Sequence, residues 1–319
     1  MPFTGPDFAQ ILEEAEQDLR KLLSVPQNYR VLFLQGGAFS HFALLPMNLC
    51  NQHEHADYVE TGHWSRRAIA EALPWIDIRL AAQGNGVSLP PPKSWSISPG
   101  AAYCHYTSNE TADGLQFSSI PDTGNIPLVA DMSADLLTGP IPVERFGLIY
   151  ASAQKNLGAA GVTIIILRDD LLGRARPGTP APLNYTRQAK ERGKLNTPAT
   201  FSIAIASRML RWLVDTGGLE AAEKRSRNKS SKLYTFIESS GFYTSPLAPG
   251  DRSQVTVRFH LPDESLERMF LDEATENEIL YLGGHPSVGG MRANLYTGVP
   301  ECAVDTLIEF MRDFQQRRG

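Results

Sequence analysis

Phe146-Gly147-Leu148-Ile149-Tyr150-Ala151-Ser152-Ala153-Gln154-Lys155-Asn156-Leu157-Gly158 is followed closely by Gly161-Val162-Thr163-Ile164-Ile165-Ile166-Leu167. Two strand-like apolar runs thus flank one lysine. A desolvated ammonium is costly unless it is neutralised or paired. Lys155 is therefore a candidate Schiff-base lysine, its pKa tuned by burial and by neighbouring charge. A surface lysine on a tight turn between strands is the alternative that the local sequence leaves open.

Outward from that stretch, apolar strand candidates alternate with helices. Phe8–Leu23 carries one apolar stripe at helical spacing. Val31–Gln35 reads as a strand ended by Gly36-Gly37, and Phe39–Cys50 as a helix. Asp57–Thr61, Ala101–Thr107 and Ile126–Ala130 read as further strands, with a helix over Ser65–Leu73. This alternation predicts an α/β fold: a large domain with a mostly parallel central sheet flanked by helices. Arg168–Lys194 reads as a long exposed loop, Thr200–Thr216 and Leu219–Ser239 as helices. Beyond them lie strand candidates at Gln254–His260, Leu280–Leu282 and Met291–Tyr296, then a helix near Glu301–Gln316. That tail is α+β in style, so the expected domains are residues 1–213, which hold the site, and a smaller one, 214–319.

Composition narrows the function. The 319 residues are 42% hydrophobic and 20% charged, the mixture of a globular protein with a sizeable core. A net charge of −5 without a basic patch argues against nucleic acid as a partner. Cys50, Cys104 and Cys302 lie far apart, which suits free thiols in a cytoplasmic protein. No signal peptide, transit peptide or membrane-spanning run is read from the chain. The motifs GxGxxG, GK[ST] and GxSxG are absent, which removes dinucleotide sites, P-loops and the hydrolase elbow. His53-Glu54-His55 lacks the further spacing of a metal site, and no metal is expected.

Polar residues fall at the strand ends, where open α/β sheets collect ligands. Asp131 ends the run Pro127–Ala130. It is either a cap for the next element or a partner for a protonated pyridine nitrogen. Gly36-Gly37-Ala38-Phe39-Ser40 opens a helix and offers backbone N–H groups to a phosphate. Trp64 is core or a platform for a flat ring. Thr111, in Asn109-Glu110-Thr111, brings a hydroxyl to the same edge. Arg292 interrupts an apolar strand and needs an anionic partner, internal or substrate.

With these segments on the page, the chain resembles the phosphoserine aminotransferases, class V enzymes of the aspartate aminotransferase fold. The resemblance is carried by Val31–Gly37, Asp57–Trp64, Asn109–Thr111, Val129–Ser133, Phe146–Gly158, Leu195–Pro198 and Val288–Tyr296. It implies pyridoxal 5'-phosphate as cofactor, with Lys155 its covalent anchor and proton shuttle, Asp131 on the pyridine nitrogen, Trp64 on the ring face and Thr111 beside the ring's polar edge. It also implies Ala38, Phe39 and Gln154 on the cofactor phosphate. Asn196 and Thr197 would reach that phosphate from a neighbouring subunit, which makes the active unit a homodimer. His285 and Arg292 would bind substrate, Arg292 at the α-carboxylate. The implied reaction moves an amino group between glutamate and phosphohydroxypyruvate in serine biosynthesis.

The chain departs from the family at the substrate phosphate. Family members usually begin several tens of residues earlier. They carry a His-Arg pair where Phe3-Thr4 stands, some an arginine in place of Phe39, and most a base in place of Pro286. The expectations are therefore three: the family reaction with other bases, Arg66 or Arg67 among them; a different amino acceptor; or cofactor binding with little turnover.

Overall fold

The computed structural model describes residues 2–51 and 53–319. Its strands are β1 (Tyr29–Leu34), β2 (His55–Glu60), β3 (Asp77–Gln83), β4 (Cys104–Thr107), β5 (Asn109–Glu110), β6 (Leu115–Gln116), β7 (Leu128–Asp131), β8 (Leu148–Ser152), β9 (Thr163–Arg168), β10 (Thr256–Phe259) and β11 (Met291–Asn294). The helices are α1 (Pro6–Leu23), α2 (Gly37–Leu49), α3 (His63–Ala72), α4 (Tyr185–Lys190), α5 (Thr200–Asp215), α6 (Gly218–Ser240), α7 (Glu264–Glu276) and α8 (Glu301–Arg318).

Seven strands form the central sheet in the order β1-β9-β8-β7-β4-β2-β3. The pairings from β8 through β7, β4 and β2 to β3 are parallel, as expected. β9 runs antiparallel to both of its neighbours. The reason lies in the connection that carries Lys155: the chain from Ser152 to Thr163 is too short for a crossover helix, so the second run folds back.

Alternation along the strands splits the core in two. Val31, Phe33, Ile164 and Ile166 face α1, α5 and the start of α6, with Leu12, Leu19 and Leu210 among their neighbours. Leu32, Leu34, Ile165 and Leu167 face α2, α3 and α4, among them Phe42, Ala68 and Tyr185. A sheet covered on both faces reads as continuous apolar runs, which is how Thr163–Leu167 reads. A third core joins the β10–β11 pair to α7, α8 and the end of α6, around Phe259, Phe270 and Phe314. Helix α6 belongs to both ends of the molecule: Leu219 and Ala222 pack in the first core, Leu233 and Ile237 in the third.

Two sequence expectations are corrected, and two elements are added. Arg168–Lys194 is not simply an exposed loop. It contains α4, whose Tyr185 is buried and whose hydroxyl lies 2.7 Å from His41 Nδ1. Leu280–Leu282 is not a strand: Tyr281 sits at φ 63° and is 91% exposed, which breaks the extended run, and pairing with β11 is confined to its end, where the Leu282 carbonyl accepts the Arg292 N–H at 2.7 Å. Finally, β3 and α7 were not anticipated. β3 is a sheet edge studded with Asp77, Arg79 and Gln83, and so lacks a clean apolar period. Helix α7 starts at an Asp263 side chain that accepts the Leu266 N–H at 3.0 Å. Among the described residues no helix is long and apolar enough to cross a membrane.

Candidate active site

β7 and β8 run side by side, with Asp131 opposite Tyr150, so their carboxyl ends open on the same edge. Asp131 is the last residue of β7 and Lys155 lies just beyond β8. Both line one cavity of about 150 Å³, with Gly37, Ala38, Phe39, Trp64 and Gln154. Six of the expected site residues are thereby brought together.

Burial lowers the Lys155 pKa below the ordinary lysine range, and Arg292 adds to the shift; Asp131 and Asp135 oppose it. Its ammonium stands 5.9 Å from the centre of the Trp64 ring. Asp131 is 5% exposed. Burial raises its carboxyl pKa; Ser133 and then Lys155 pull it back down. Its Oδ1 accepts the Ser133 N–H at 2.9 Å. A lysine held toward its neutral form and a shielded carboxylate are the groups needed for proton transfer near a bound cation.

The neighbouring turn is pinned by Asn156. Its amide donates to the carbonyls of Ala134 (2.8 Å) and Leu136 (3.2 Å), and its Oδ1 accepts the Thr297 N–H at 3.1 Å. One buried side chain thus ties the lysine turn to the segment after β7 and to the segment after β11. Asn156→Ala leaves these buried groups unpaired. We expect a loss of roughly 2–4 kcal/mol in urea unfolding; a change below about 0.5 kcal/mol would contradict the role given to this residue.

The other wall is the start of α2. Gly36 sits at φ 105°, where a Cβ would come within 2.7 Å of the Ser40 Cβ, so the tight entry requires glycine. Ala38 N–H donates to Ser152 Oγ, which fixes the helix start to the end of β8. Unpaired N–H groups and the helix dipole make this a place for an anion.

Trp64 is set by a carboxylate that sequence reading passed over. Glu110 accepts the N–H groups of Trp64 and Ser65, each at 2.8 Å, and so caps α3. Burial lifts its pKa to about 7, against those hydrogen bonds. Its position next to Asn109 and Thr111 was visible in the sequence, but nothing local tied it to a helix 46 residues away.

Thr111 is placed differently. Its hydroxyl lies 3.1 Å from Thr256 Oγ1 and does not line the Lys155 cavity. Thr107, Asn109, Ser133 and Ser152 do. Thr107 Oγ1 and Trp64 Nε1 are both buried and without a partner among the described residues. Asn196 and Thr197 are exposed. They stand beside the Gln35–Gly36 turn, with the Gln35 amide donating to the Thr197 carbonyl, and line no part of this cavity in their own chain. His285 packs against His63, ring centres 4.3 Å apart, and lies 6.3 Å from Trp64. Arg292 donates to the Thr111 carbonyl at 3.3 Å.

Behind Asp131 sits Asp135. The Ser108 hydroxyl is within reach of both the Asp131 carbonyl (3.0 Å) and Asp135 Oδ1 (2.6 Å). Burial raises the Asp135 pKa to about 6 from 3.8, and the Asp131 charge adds to the rise. The folded chain then keeps this proton at pH values where the unfolded chain has lost it. Its contribution to stability falls as pH rises from about 4 through about 6. Asp135→Asn should flatten that part of the profile, by on the order of 2 kcal/mol between pH 4 and 7 in denaturant titrations. An identical slope in the variant would contradict the assignment.

A carboxylate and a lysine stand at adjacent strand ends, with a helix start and an indole around them, and the chain as a whole has known relatives. The family model for class-V aminotransferases matches residues 3–307. The chain belongs to the class-V aminotransferase family. Phosphoserine aminotransferases of Acinetobacter baylyi and Pseudomonas entomophila are 46% and 48% identical to it over its whole length, which spans 90% and 89% of theirs. Among solved structures, a phosphoserine aminotransferase from Bacillus circulans subsp. alkalophilus matches with a TM-score of 0.98 at 40% identity, covering 100% of this chain and 90% of that one. A PLP-bound phosphoserine aminotransferase from Trichomonas vaginalis matches at 0.93 and 35%, covering 98% and 90%. As a class-V aminotransferase the chain is a transaminase, and its α/β sheet is the one its relatives share.

Proposed function

We propose that this class-V aminotransferase uses pyridoxal 5'-phosphate to move an amino group between glutamate and phosphohydroxypyruvate, the step that yields phosphoserine for serine biosynthesis. The observation that carries the reading is the shared cavity of Asp131, Trp64, Lys155 and the α2 start. The residues present fit the cofactor: a buried carboxylate, two orphaned buried donors and a helix start opened by glycines. When bound, pyridoxal phosphate supplies an electron sink for charge developing at the amino-bearing carbon.

The chain's own groups do the rest. Lys155 Nζ anchors the cofactor and moves the proton at the substrate's Cα. Its lowered pKa suits that task, since a neutral amine is needed to take a proton. Asp131 holds a proton at the pyridine nitrogen. Trp64, which lines the cavity, would cover the flat ring and exclude water. Ala38, Phe39 and Gln154 surround the cofactor phosphate. Thr111 brings a hydroxyl toward the ring's polar edge, and Thr107, whose buried Oγ1 is unpartnered among the described residues, offers a second. Arg292 takes the substrate α-carboxylate, and His285 lies at the mouth beside His63.

Asn196 and Thr197 complete the phosphate site of a second copy, which makes the working unit a homodimer. Their exposure at a chain segment beside the α2 start supports this. The molecule works in the cytoplasm, as two domains at residues 1–213 and 214–319; separate apolar cores at the two ends support the division.

A second reading, an aminotransferase with another acceptor or one with little turnover, is favoured by one observation. Phe39 lines the cavity and is 45% exposed, with the Arg67 guanidinium 4.8 Å above its ring. The test is glutamate release from phosphoserine and 2-oxoglutarate by the cofactor-loaded protein. Release faster with phosphoserine than with serine or alanine supports the first reading. Release only with an unphosphorylated donor supports a changed acceptor, and none with any donor supports the binding-only form.

A further inference from the structure

Arg258 and Arg292 stand directly opposite each other in the antiparallel β10–β11 pair. Like charges at that position repel across strands. Both side chains leave the face of the pair opposite Val257, Phe259, Met291 and Ala293, which fill the third core. Neither arginine forms an ion pair among the described residues. The Nε of each is buried and without a partner. Arg258 spends one terminal nitrogen on the Val288 carbonyl (3.3 Å) and His260 Nε2 (3.2 Å). Arg292 spends one on the Thr111 carbonyl.

The carboxylates that act on Arg258 are committed elsewhere. Asp113 accepts the His63 N–H at 2.9 Å, and Glu267 lies 3.2 Å from His260 Nδ1. Both side chains are half-buried, and a guanidinium whose buried Nε has no acceptor is costly unless an anion completes it. The pair also borders the site. Arg292 acts on both Lys155 and His285, and Val288 lies in the same turn as His285.

We propose that Arg258 and Arg292 form a two-cation receptor for a substrate with two anionic groups, Arg292 taking the α-carboxylate and Arg258 the distal anion. The proposal rests on the aminotransferase reading above and names the residue that sets its substrate class. It places a base at the distal anion from β10, a strand that contains none of Phe39, Pro286, Phe3 and Thr4. Phe3 itself packs against the first core, away from that role. A guanidinium suits the task because its planar fork can meet a phosphate with two parallel N–H bonds.

The test is calorimetric binding of 3-phosphoglycerate to the cofactor-loaded protein. This probe carries a carboxylate and a phosphate but no amino group, so it binds without turnover. Arg258→Gln should weaken its binding at least tenfold, Arg258→Lys less, and Arg292→Gln at least as much. The visible band of the bound cofactor and the melting temperature serve as folding controls, and both should stay as in the parent. Equal affinity in the parent and in Arg258→Gln, with the probe still bound, would overturn the receptor and leave the phosphorylated-substrate reading standing. Failure of the parent to bind the probe would overturn both. If Arg258→Gln lowers the melting temperature, Arg258→Lys decides: a loss of affinity smaller than that in Arg258→Gln supports the charge, whereas a loss in Lys equal to that in Gln overturns it.

Discussion

Lys155→Ala is expected to abolish amino transfer. The variant should still fold, because among the described residues Lys155 makes no hydrogen bond that holds the turn; Asn156 holds it through Ala134, Leu136 and Thr297. On the proposed reading two functions are removed at once, the covalent anchor for the cofactor and the group that moves the proton at Cα. A positioned acid–base group alone contributes roughly 10²–10⁴ in rate. Loss of the anchor should add to that, so activity should fall by more than about 10⁴-fold. The yellow band of the loaded protein should also shift or vanish. Retention of both band and turnover would show that another amine holds the cofactor.

The second large effect is expected at Asp131. Asp131→Asn keeps the shape and the hydrogen bond from the Ser133 N–H but removes the charge. With it would go, on the proposed reading, the reason for a proton to remain on the pyridine nitrogen. Removal of one preorganised electrostatic partner costs about 10²–10³ in kcat, and we expect a fall of that size with KM little changed. The site offers a built-in comparison in Asp135, which sits behind Asp131 and does not line the cavity. Asp135→Asn should leave kcat within a few-fold. Equal losses in the two variants would mean that the local charge, and not contact with the ring nitrogen, is what matters.

Much of this site was legible because its residues sit where strands stop. Asp131 and Lys155 each follow an unbroken apolar run, and parallel neighbours put such ends on one edge. The Gly36-Gly37 turn was legible for a similar reason, since only glycine suits its backbone. Other parts depended on long-range pairing that a single sequence does not display. Glu110 acts on α3, Asn156 on the segment after β11, and Ser152 on α2. Ser133 and Thr107 are ordinary hydroxyl residues until the sheet folds them toward Lys155. Arg258 was only one residue of the strand candidate Gln254–His260, and its meaning appears once Arg292 is found opposite it. The direction of β9 was hidden in the length of the Lys155 connection rather than in any residue type.

The most direct test of the central claim is the visible spectrum of the cofactor-loaded protein, recorded after phosphoserine and, separately, after glutamate, with no acceptor present. A single site that serves both halves of the transfer predicts loss of the yellow band with each donor, in amounts equal to the active sites, and its return when the matching oxo acid is added. A band unchanged by either donor would contradict the account.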